Sequence, residues 1–443
     1  MPQITQPLHL GTSNDRQTQI RFDADHTTSD AGLVLLSRLD ARVDVCGRMA
    51  RAIHDRRNLL YVTHPLSSLL RQRVFALALG WTDCNDAGPL RVDPALKMAC
   101  GRAPVSGISL ASQPTLSRLE NMVDESDNAR MSDALLDTYF ARQGPRRKRR
   151  LIVIDADATD DQTHGHQEWS HYNKYYGHTC FTPLLVFDGG TDDLLSARLR
   201  PGNAGTGDGL LDELERIVPR LKACWPKARL RLRVDGGFAW PGIFAFCERE
   251  GLEYLIAMQA SPVLTALAAQ DLAEVTRRAV QDGGTYEAFG SAQYQSEGWT
   301  EPRKVIWKAE AKPGEDATLR CIVTNLPGRA PKLYALYCER GESENWIKNF
   351  KRALVGDRLS CHRATANQFR LLLHAAAYQL MLGLRELLAD TEAAAWQFDT
   401  LRVRLLKVGG WISETAHRIT LHLASSHPHQ DLWTTLVRQL VPT

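Results

Sequence analysis

The sequence predicts an α/β protein whose sheet has a parallel portion, with helical segments on either side of it. Three features lead there. The runs "LIVI", "LLVF" and "LRLRV" are short and apolar, and each is followed by an aspartate. Amphipathic helical stretches separate the later runs, as in sheets built from strand–helix units. Residues 31–145 and 363–443 carry helical spacing in place of strand alternation.

Residues 1–30 are polar and read as an extended arm. From Ala31 onward, Leu36, Leu39, Val43, Cys46, Met49 and Ile53 follow helical spacing. "LSSLLRQRVFALALG" predicts a helix over 66–80 that stops at Gly80. "LASQPTLSRLENM" predicts another over 110–122. There Ser112 suits an N-cap, Pro114 is tolerated in the first turn, and Leu116, Leu119 and Met122 form the apolar face. Residues 31–145 thus read as a helical domain. It is compatible with a helix-turn-helix that turns Thr115, Ser117 and Arg118 to DNA, and equally with a plain bundle.

The texture changes at Arg150. "RRLIVIDADAT" and "TPLLVFDGG" predict strands, 208–225 a helix, "ARLRLRVDGGF" a strand, 240–251 a helix and "LEYLIAMQA" a strand. These form the first part of the α/β core, 146–282. "TYEAFGSAQYQ", "RKVIWKAEAK" and "TLRCIVTNL" predict a β-rich insertion, 283–330. "LYALYCERGESENWIKNFKRAL" returns the chain to the core over 331–362 as strand, turn and helix. Residues 363–443 read as helical, with loops near "KVGGW" and "SSHPHQD".

With 443 residues, 44% of them hydrophobic and 24% charged, the chain has the make-up of a soluble protein of two or three domains. Net charge is +3, so affinity for nucleic acid must come from local patches, of which "RRKRR" at 146–150 is the clearest. The nine cysteines include no C-x-x-C pair, which argues against a zinc ribbon, and their odd number argues against a closed disulfide framework. A reducing cytoplasm is expected. The polar N-terminus lacks a signal-peptide core, and "LLLHAAAYQLMLGL" is interrupted by His374 and Gln379 and too short to span a bilayer.

Carboxylates gather at element ends. Asp155 and Asp157 lie at the end of one strand, Asp235 ends another, and Glu344 lies on the helix expected after "LYALY". Open α/β sheets place their chemistry at the carboxyl ends of strands. Each aspartate alone reads as a turn or cap; together they suit Mg²⁺, which takes oxygen ligands and keeps several waters. Arg340, Glu344, Lys348 and Lys351 fall on one face of about three helical turns. Such a face can hold only i,i+4 ion pairs, or it can place one carboxylate among cations beside a phosphodiester.

"DADATDDQTHGHQEWSHYNKYYGH", "LRPGNAGTGDG", "RVDGGFAWPG" and Y-x2-R-x3-E-x6-K, here Tyr337, Arg340, Glu344 and Lys351, resemble bacterial insertion-sequence transposases of the DDE class that carry the YREK signature. The first run is similar to the IS-thirteen-eighty branch, related to the broader IS-four group. The resemblance covers roughly residues 60–410. It implies an RNase H-like catalytic core with a β-rich insertion, an N-terminal DNA-binding domain and a C-terminal helical region. It also implies two Mg²⁺ ions, replaceable by Mn²⁺, held by a triad that includes Asp235 and Glu344. The first member is Asp157, with Asp155 on the same strand face as the competing candidate.

The implied partners are double-stranded DNA, as terminal inverted repeats and target, and a second copy in the DNA complex; no membrane is implied, and the nucleoid is the expected location. Arg340, Lys348 and Lys351, Tyr337, and Arg146, Arg147, Lys148, Arg149 and Arg150 are the expected DNA contacts, beside Thr115, Ser117 and Arg118. His164, His166, His171 and Glu168 lack the spacing of a zinc site. Trp307 and Trp346 read as core, with a base-stacking role for Trp307 as the alternative. The rival functions are a catalytically inactive or domesticated DNA-binding protein and another RNase H-like nuclease.

Overall fold

The structure, a computed structural model, describes residues 6–144 and 148–441. Near the N-terminus β1 (Leu8–Ser13) and β2 (Arg16–Ile20) form an antiparallel hairpin, and β3 (Thr27–Thr28) follows. The polar arm is therefore folded back at Asn14 and Asp15, both at positive φ, the backbone that tight hairpin turns require. The first run of helical spacing is two helices, Leu33–Val43 and Val45–Ala52, broken at the left-handed Asp44. Leu66–Ala78, Gln113–Met122 and Glu125–Gln143 are helical.

Eleven strands follow: β4 (Leu151–Ala158), β5 (Asp161–Gln162), β6 (His171–Asn173), β7 (His178–Phe181), β8 (Leu184–Asp188), β9 (Asp193–Arg198), β10 (Arg229–Val234), β11 (Glu253–Met258), β12 (Tyr286–Tyr294), β13 (Arg303–Ala311) and β14 (Thr318–Thr324). Eight of them make one mixed sheet in the order β12-β13-β14-β11-β10-β4-β8-β9, while β5, β7 and β6 form a small sheet beyond the end of β4. β4, β10 and β11 run parallel, and β8 and β14 pair antiparallel to them. The β-rich stretch is an antiparallel meander that continues the main sheet through β14 and β11.

Strand alternation gives the two faces of the sheet different jobs. Ile152, Ile154, Ala156, Leu230, Leu232 and Val234 point to one face and pack on the helices Leu210–Cys224 and Pro241–Arg249. Asp155, Asp157 and Arg233 point to the other.

On that second face lies Ala330–Cys338, which is a helix where a strand was expected. Pro331 sits in its first turn, and Leu333, Tyr334 and Tyr337 recur at helical spacing against Leu255, Ile306 and Ile322. A short apolar run cannot be assigned by hydrophobicity alone; here proline and spacing decide it. The helical path continues as a 3₁₀ turn at Glu339–Gly341, a helix at Glu342–Lys348 and a π-helix at Asn349–Ala353. The long helix Ala364–Glu386 follows.

The chain divides into two compact units. One takes residues 43–56 and 120–382 and contains the large sheet. It claims Glu125–Gln143, contrary to the expected boundary at 145, because Leu136 and Tyr139 pack into the core beneath Ile152 and Ile154. The other takes residues up to 42, 57–119 and from 383 onward. In it the loop expected at "KVGGW" covers Lys407–Gly409 and runs directly into strand: β15 (Gly410–Glu414) and β16 (Ile419–Leu423) form a hairpin, with β3 on β15. Beside it Gly32 donates to the Leu406 carbonyl, and a Cβ there would stand 1.9 Å from the Leu405 oxygen, so only glycine fits. No described helix is long and apolar enough to cross a membrane.

Candidate active site

The parallel register of β4 and β10 sets the site. Arg231 lies opposite Val153, Arg233 opposite Asp155 and Val234 opposite Ala156. One step further, Asp157 and Asp235 stand abreast on the same face. Asp235 Oδ1 accepts from the Gly237 amide at 2.9 Å and caps the 3₁₀ turn Gly236–Phe238. A Cβ on Gly237 would stand 2.4 Å from Thr206 Cγ2, so glycine lets the two loops approach closely.

The two aspartates of β4 have different surroundings. Asp155 is 1% exposed, and both its oxygens are held at 2.7 Å by the Arg233 Nε and Nη2 atoms. Arg233 also donates to the Leu336 carbonyl at 2.9 Å and to Glu339 at 3.1 Å, which ties the sheet to the helix above it. Burial pushes the Asp155 carboxyl up and the Arg233 guanidinium pulls it down. This paired, sealed carboxylate has no oxygen facing a substrate, whereas Asp157 lines an open cleft.

Asp157 Oδ2 receives a hydrogen bond from Arg340 Nη2 at 2.8 Å, and the same nitrogen stands 3.5 Å from Asp235 Oδ2. One guanidinium nitrogen thus serves two carboxylates, while Arg340 Nε is buried with no partner among the described residues. Burial pushes the Asp157 carboxyl up to about 6; Arg340 opposes the rise, and Asp235 and Glu344 add to it. Glu344 is exposed on its helix yet close enough for Asp157 to feel its charge. The Tyr337 hydroxyl is raised to about 12, by burial first and also by the charges of Asp235 and Asp157, so it borders the same group. The expected Arg340–Glu344 pair gives way to this reach across to the sheet. Trp346 anchors the helix from below, its ring 5.4 Å from Phe187 of β8.

Lys351 lies in the π-helix, a distortion frequent at functional sites. Its Nζ donates to the Asp160 backbone carbonyl at 2.6 Å and to Asp160 Oδ1 at 2.7 Å. This pairing holds the Asp160 carboxyl low against the opposing effect of burial. Neighbouring Asp161 is buried, and neither carboxyl oxygen has a partner among the described residues. Burial, followed by the charge of Asp357, pushes its pKa up to about 9. Lys348 is exposed.

Sequence reasoning missed Arg233, Asp160, Asp161 and Arg200. The first had a signal: the alternation "RLRLRV" puts three arginines on one face of a buried strand, and Arg231 and Arg233 each find a carboxylate, Glu253 and Asp155. Arg200 gives "LRPGNAGTGDG" its shape. Its guanidinium donates to the carbonyls of Thr182, Gly205, Thr206 and Asp208 and folds the loop against the cleft.

The "HGHQE" run is a latch. The Glu168 amide donates to the His362 carbonyl at 2.9 Å, and Glu168 Oε2 accepts from the Ala364 amide at the start of the long helix. Gln167 Nε2 donates to the Leu359 carbonyl, and His362 Nδ1 lies 2.9 Å from the His166 carbonyl. His164 and His171 are exposed.

In the basic run, Arg149 turns inward, forking onto buried Asp188 over the Trp225 ring. That occupies the guanidinium expected on DNA. Lys148 and Arg150 are exposed, and Arg146 and Arg147 lie outside the described residues. On the Gln113–Met122 helix, Thr115 and Ser117 are half-buried and Arg118 is exposed. Trp307 is buried and donates from Nε1 to Asp271 at 2.8 Å, which leaves it no free ring face for a base.

Among the described residues no three His, Cys, Asp or Glu side chains converge closely enough to hold a metal ion. The donor chemistry nonetheless fits a hard divalent cation. Asp157 and Asp235 offer carboxylate oxygens abreast, Glu344 adds a third within electrostatic reach, and the charge between them is supplied by a single shared guanidinium.

No curated protein sequence is similar at a significant level. Among solved structures, a cryo-EM structure of the piggyBac transposase synaptic complex with hairpin DNA is similar, with 10% identity and a TM-score of 0.47 over 94% of this chain and 86% of that chain. The family model described as Transposase DDE domain group 1 matches residues 10–443. The chain therefore belongs to the transposase DDE domain group 1 family.

Proposed function

We propose that this transposase cuts and joins DNA at the ends of its own element, with Asp157, Asp235 and Glu344 as its triad. The observation that carries the reading is Asp157 and Asp235 abreast on adjacent parallel strands under a single shared arginine. Arg233 occupies Asp155, which favours Asp157 as the first member. The strand order of the sheet around them supports the RNase H-like reading, and Tyr337, Arg340, Glu344 and Lys351 on one helical path support the YREK branch.

Asp157, Asp235 and Glu344 would hold Mg²⁺, or Mn²⁺ in its place. When bound, the ions polarise the phosphodiester and lower the pKa of the attacking water. The chain's own residues position the substrate. Arg340, which lies between the two carboxylates, would contact the scissile phosphate, and exposed Lys348 would meet the backbone beside it. Tyr337, packed on the apolar cluster of Leu255 and Ile306, would border the DNA strand beside Arg340. Lys351, braced by Asp160, fixes the π-turn and the height of the helix above the sheet. Lys148 and Arg150 are further DNA contacts in this reading, and Thr115, Ser117 and Arg118 of the other unit are DNA contacts of their own. The substrates in this reading are terminal inverted repeats and target DNA, in a cut-and-paste sequence with or without a hairpin intermediate, with two copies holding two ends.

The test is strand cleavage of a plasmid carrying the gene's native flanking DNA, with Mg²⁺, by the native protein and by Glu344→Gln. Cuts at the edges of an inverted repeat that vanish in the variant support the reading. Binding of the flanks without cutting by either protein favours an inactive DNA-binding protein, a reading that the failure of three carboxylates to converge also motivates.

A further inference from the structure

We propose that the turn Leu59–Tyr61 is an apolar wedge that enters one base step of duplex DNA and kinks it. This rests on the reading of the chain as a transposase that grips DNA.

The turn is 3₁₀-helical, and none of its residues is buried. Leu59 is 72% exposed, Leu60 88% and Tyr61 83%. Three consecutive large apolar side chains thus forgo most of the burial that stabilises such groups in a fold. Single exposed leucines are ordinary on a protein surface, whereas a contiguous run marks a contact surface. The turn belongs to the unit that takes residues 57–119, and Asp157 and Asp235 belong to the other.

The tip is built and held. The Asn58 side chain accepts from the Leu60 amide at 3.1 Å, and the Asn58 carbonyl accepts from the Tyr61 amide at 3.0 Å. Arg57 Nη1 donates to the His64 carbonyl at 2.9 Å and closes the loop across its base. Arg102 Nη2 donates to the neighbouring Thr63 carbonyl at 2.9 Å. Pro65 then caps the helix Leu66–Ala78. These bonds fix the loop at both ends and leave its apolar tip in water.

Charge decides the partner. Burial lowers the His64 pKa, and the charges of Arg102 and Arg57 lower it further, with no carboxylate of the described residues opposing them. The base of the loop is therefore a positive field, complementary to phosphate. Apolar side chains set among arginines match the wedges that part a base step from the minor groove while cations hold the backbone on either side. Pyrimidine–purine steps, TA or CA, open most easily. The wedge thereby favours DNA with such a step, without reading base edges.

The experiment measures energy transfer between dyes on the two ends of a duplex carrying the gene's native flanking DNA, with no divalent cation added. The proteins are the native chain, a double variant with Leu59→Ala and Leu60→Ala, and Leu60→Met. The native protein is expected to bend the duplex by about 20–90° and so raise the transfer. The double variant is expected to leave the duplex straight and to lose affinity by about tenfold. It should keep the slope of log affinity against log salt, because no phosphate contact is removed, and its thermal midpoint, because the replaced side chains lie in water. Leu60→Met keeps an apolar tip and should keep the bend. A native protein that binds without raising the transfer, or a double variant that bends as the native does, overturns the wedge. A double variant that bends normally but no longer self-associates in sedimentation also overturns it, and makes the turn a contact between copies of the chain. Absence of binding by the native protein overturns the DNA reading beneath it.

Discussion

Asp155 and Asp157 are two residues apart on one face of one strand, and each meets an arginine from a distant segment. At Asp155 the match is complete: two oxygens, two guanidinium nitrogens, both partners sealed from water. At Asp157 it is deliberately short. One nitrogen of Arg340 is shared with Asp235, the guanidinium keeps an unpartnered Nε, and the carboxyl sits at about 6. The finished pair joins sheet to helix, whereas the unfinished one leaves carboxylate oxygens facing the open cleft. The same chemistry, carboxylate and guanidinium, thus serves structure in one place and readiness in the other, and the difference lies in how many partners each charge has.

The contrast breaks most sharply by substitution. Asp157→Asn is expected to remove several kcal/mol of transition-state stabilisation, a loss of about a thousandfold or more in strand cleavage. Its thermal midpoint should stay unchanged or rise slightly, because a carboxylate strained by burial is gone. Asp155→Asn should do the reverse in kind. Removing the buried one of Arg233's two carboxylate partners, with only exposed Glu339 left, costs up to about 3–5 kcal/mol, read as a lower denaturant midpoint. If the Asp157 variant unfolds early while the Asp155 variant is stable and inactive, the two roles are exchanged.

Another buried carboxyl sharpens the comparison, because Asp161 has no cation directly on it. Its folded pKa, about 9, lies above the usual carboxyl value of 3.8. Between those values the unfolded chain releases a proton that the folded chain keeps, so this group's contribution to stability falls as pH rises from about 4 to about 9, by up to about 1.4 kcal/mol per pH unit. Asp161→Asn should flatten that decline and raise the midpoint at pH 8 relative to the native protein. A parallel pH curve for the two proteins would place Asp161 among the ionised groups instead. The smallest effect is expected at Lys348. Lys348→Ala should weaken DNA binding modestly and lower the slope of log affinity against log salt by about 1; an unchanged slope would take Lys348 off the DNA track.

Much of this site was legible in the chain. Apolar runs ending in aspartate located β4 and β10, and the spacing of Arg340, Glu344 and Lys351 located the helix above them. The different surroundings of Asp155 and Asp157 were not, because strand periodicity puts both on one face; the partner of Asp155, Arg233, lies 78 residues away. "LYALYC" reads as a strand because an apolar run of that length fits either element; Pro331 ahead of it and the helical spacing of Leu333, Tyr334 and Tyr337 are the signals that separate them. The "HGHQE" latch was illegible for a different reason: its acceptors and donors are backbone atoms near 359–364, which carry no side-chain signature. Arg200 likewise works through carbonyls of its own loop.

The hydrogen bond from Arg340 to Asp157 joins residues 183 positions apart in the chain. That separation has a consequence in time. The strands that carry Asp157 and Asp235 leave the ribosome well before residue 340, and at about 5–20 residues per second the interval is seconds long. Until the 3₁₀ turn of Glu339–Gly341 arrives and docks, the two carboxylates stand abreast without the Arg340 guanidinium, and a loop of 183 residues must close to bring it. The nascent sheet therefore passes through a stage in which its own future centre opposes its pairing. Assembly of that centre is a late event, completed only when nearly four-fifths of the chain has been made.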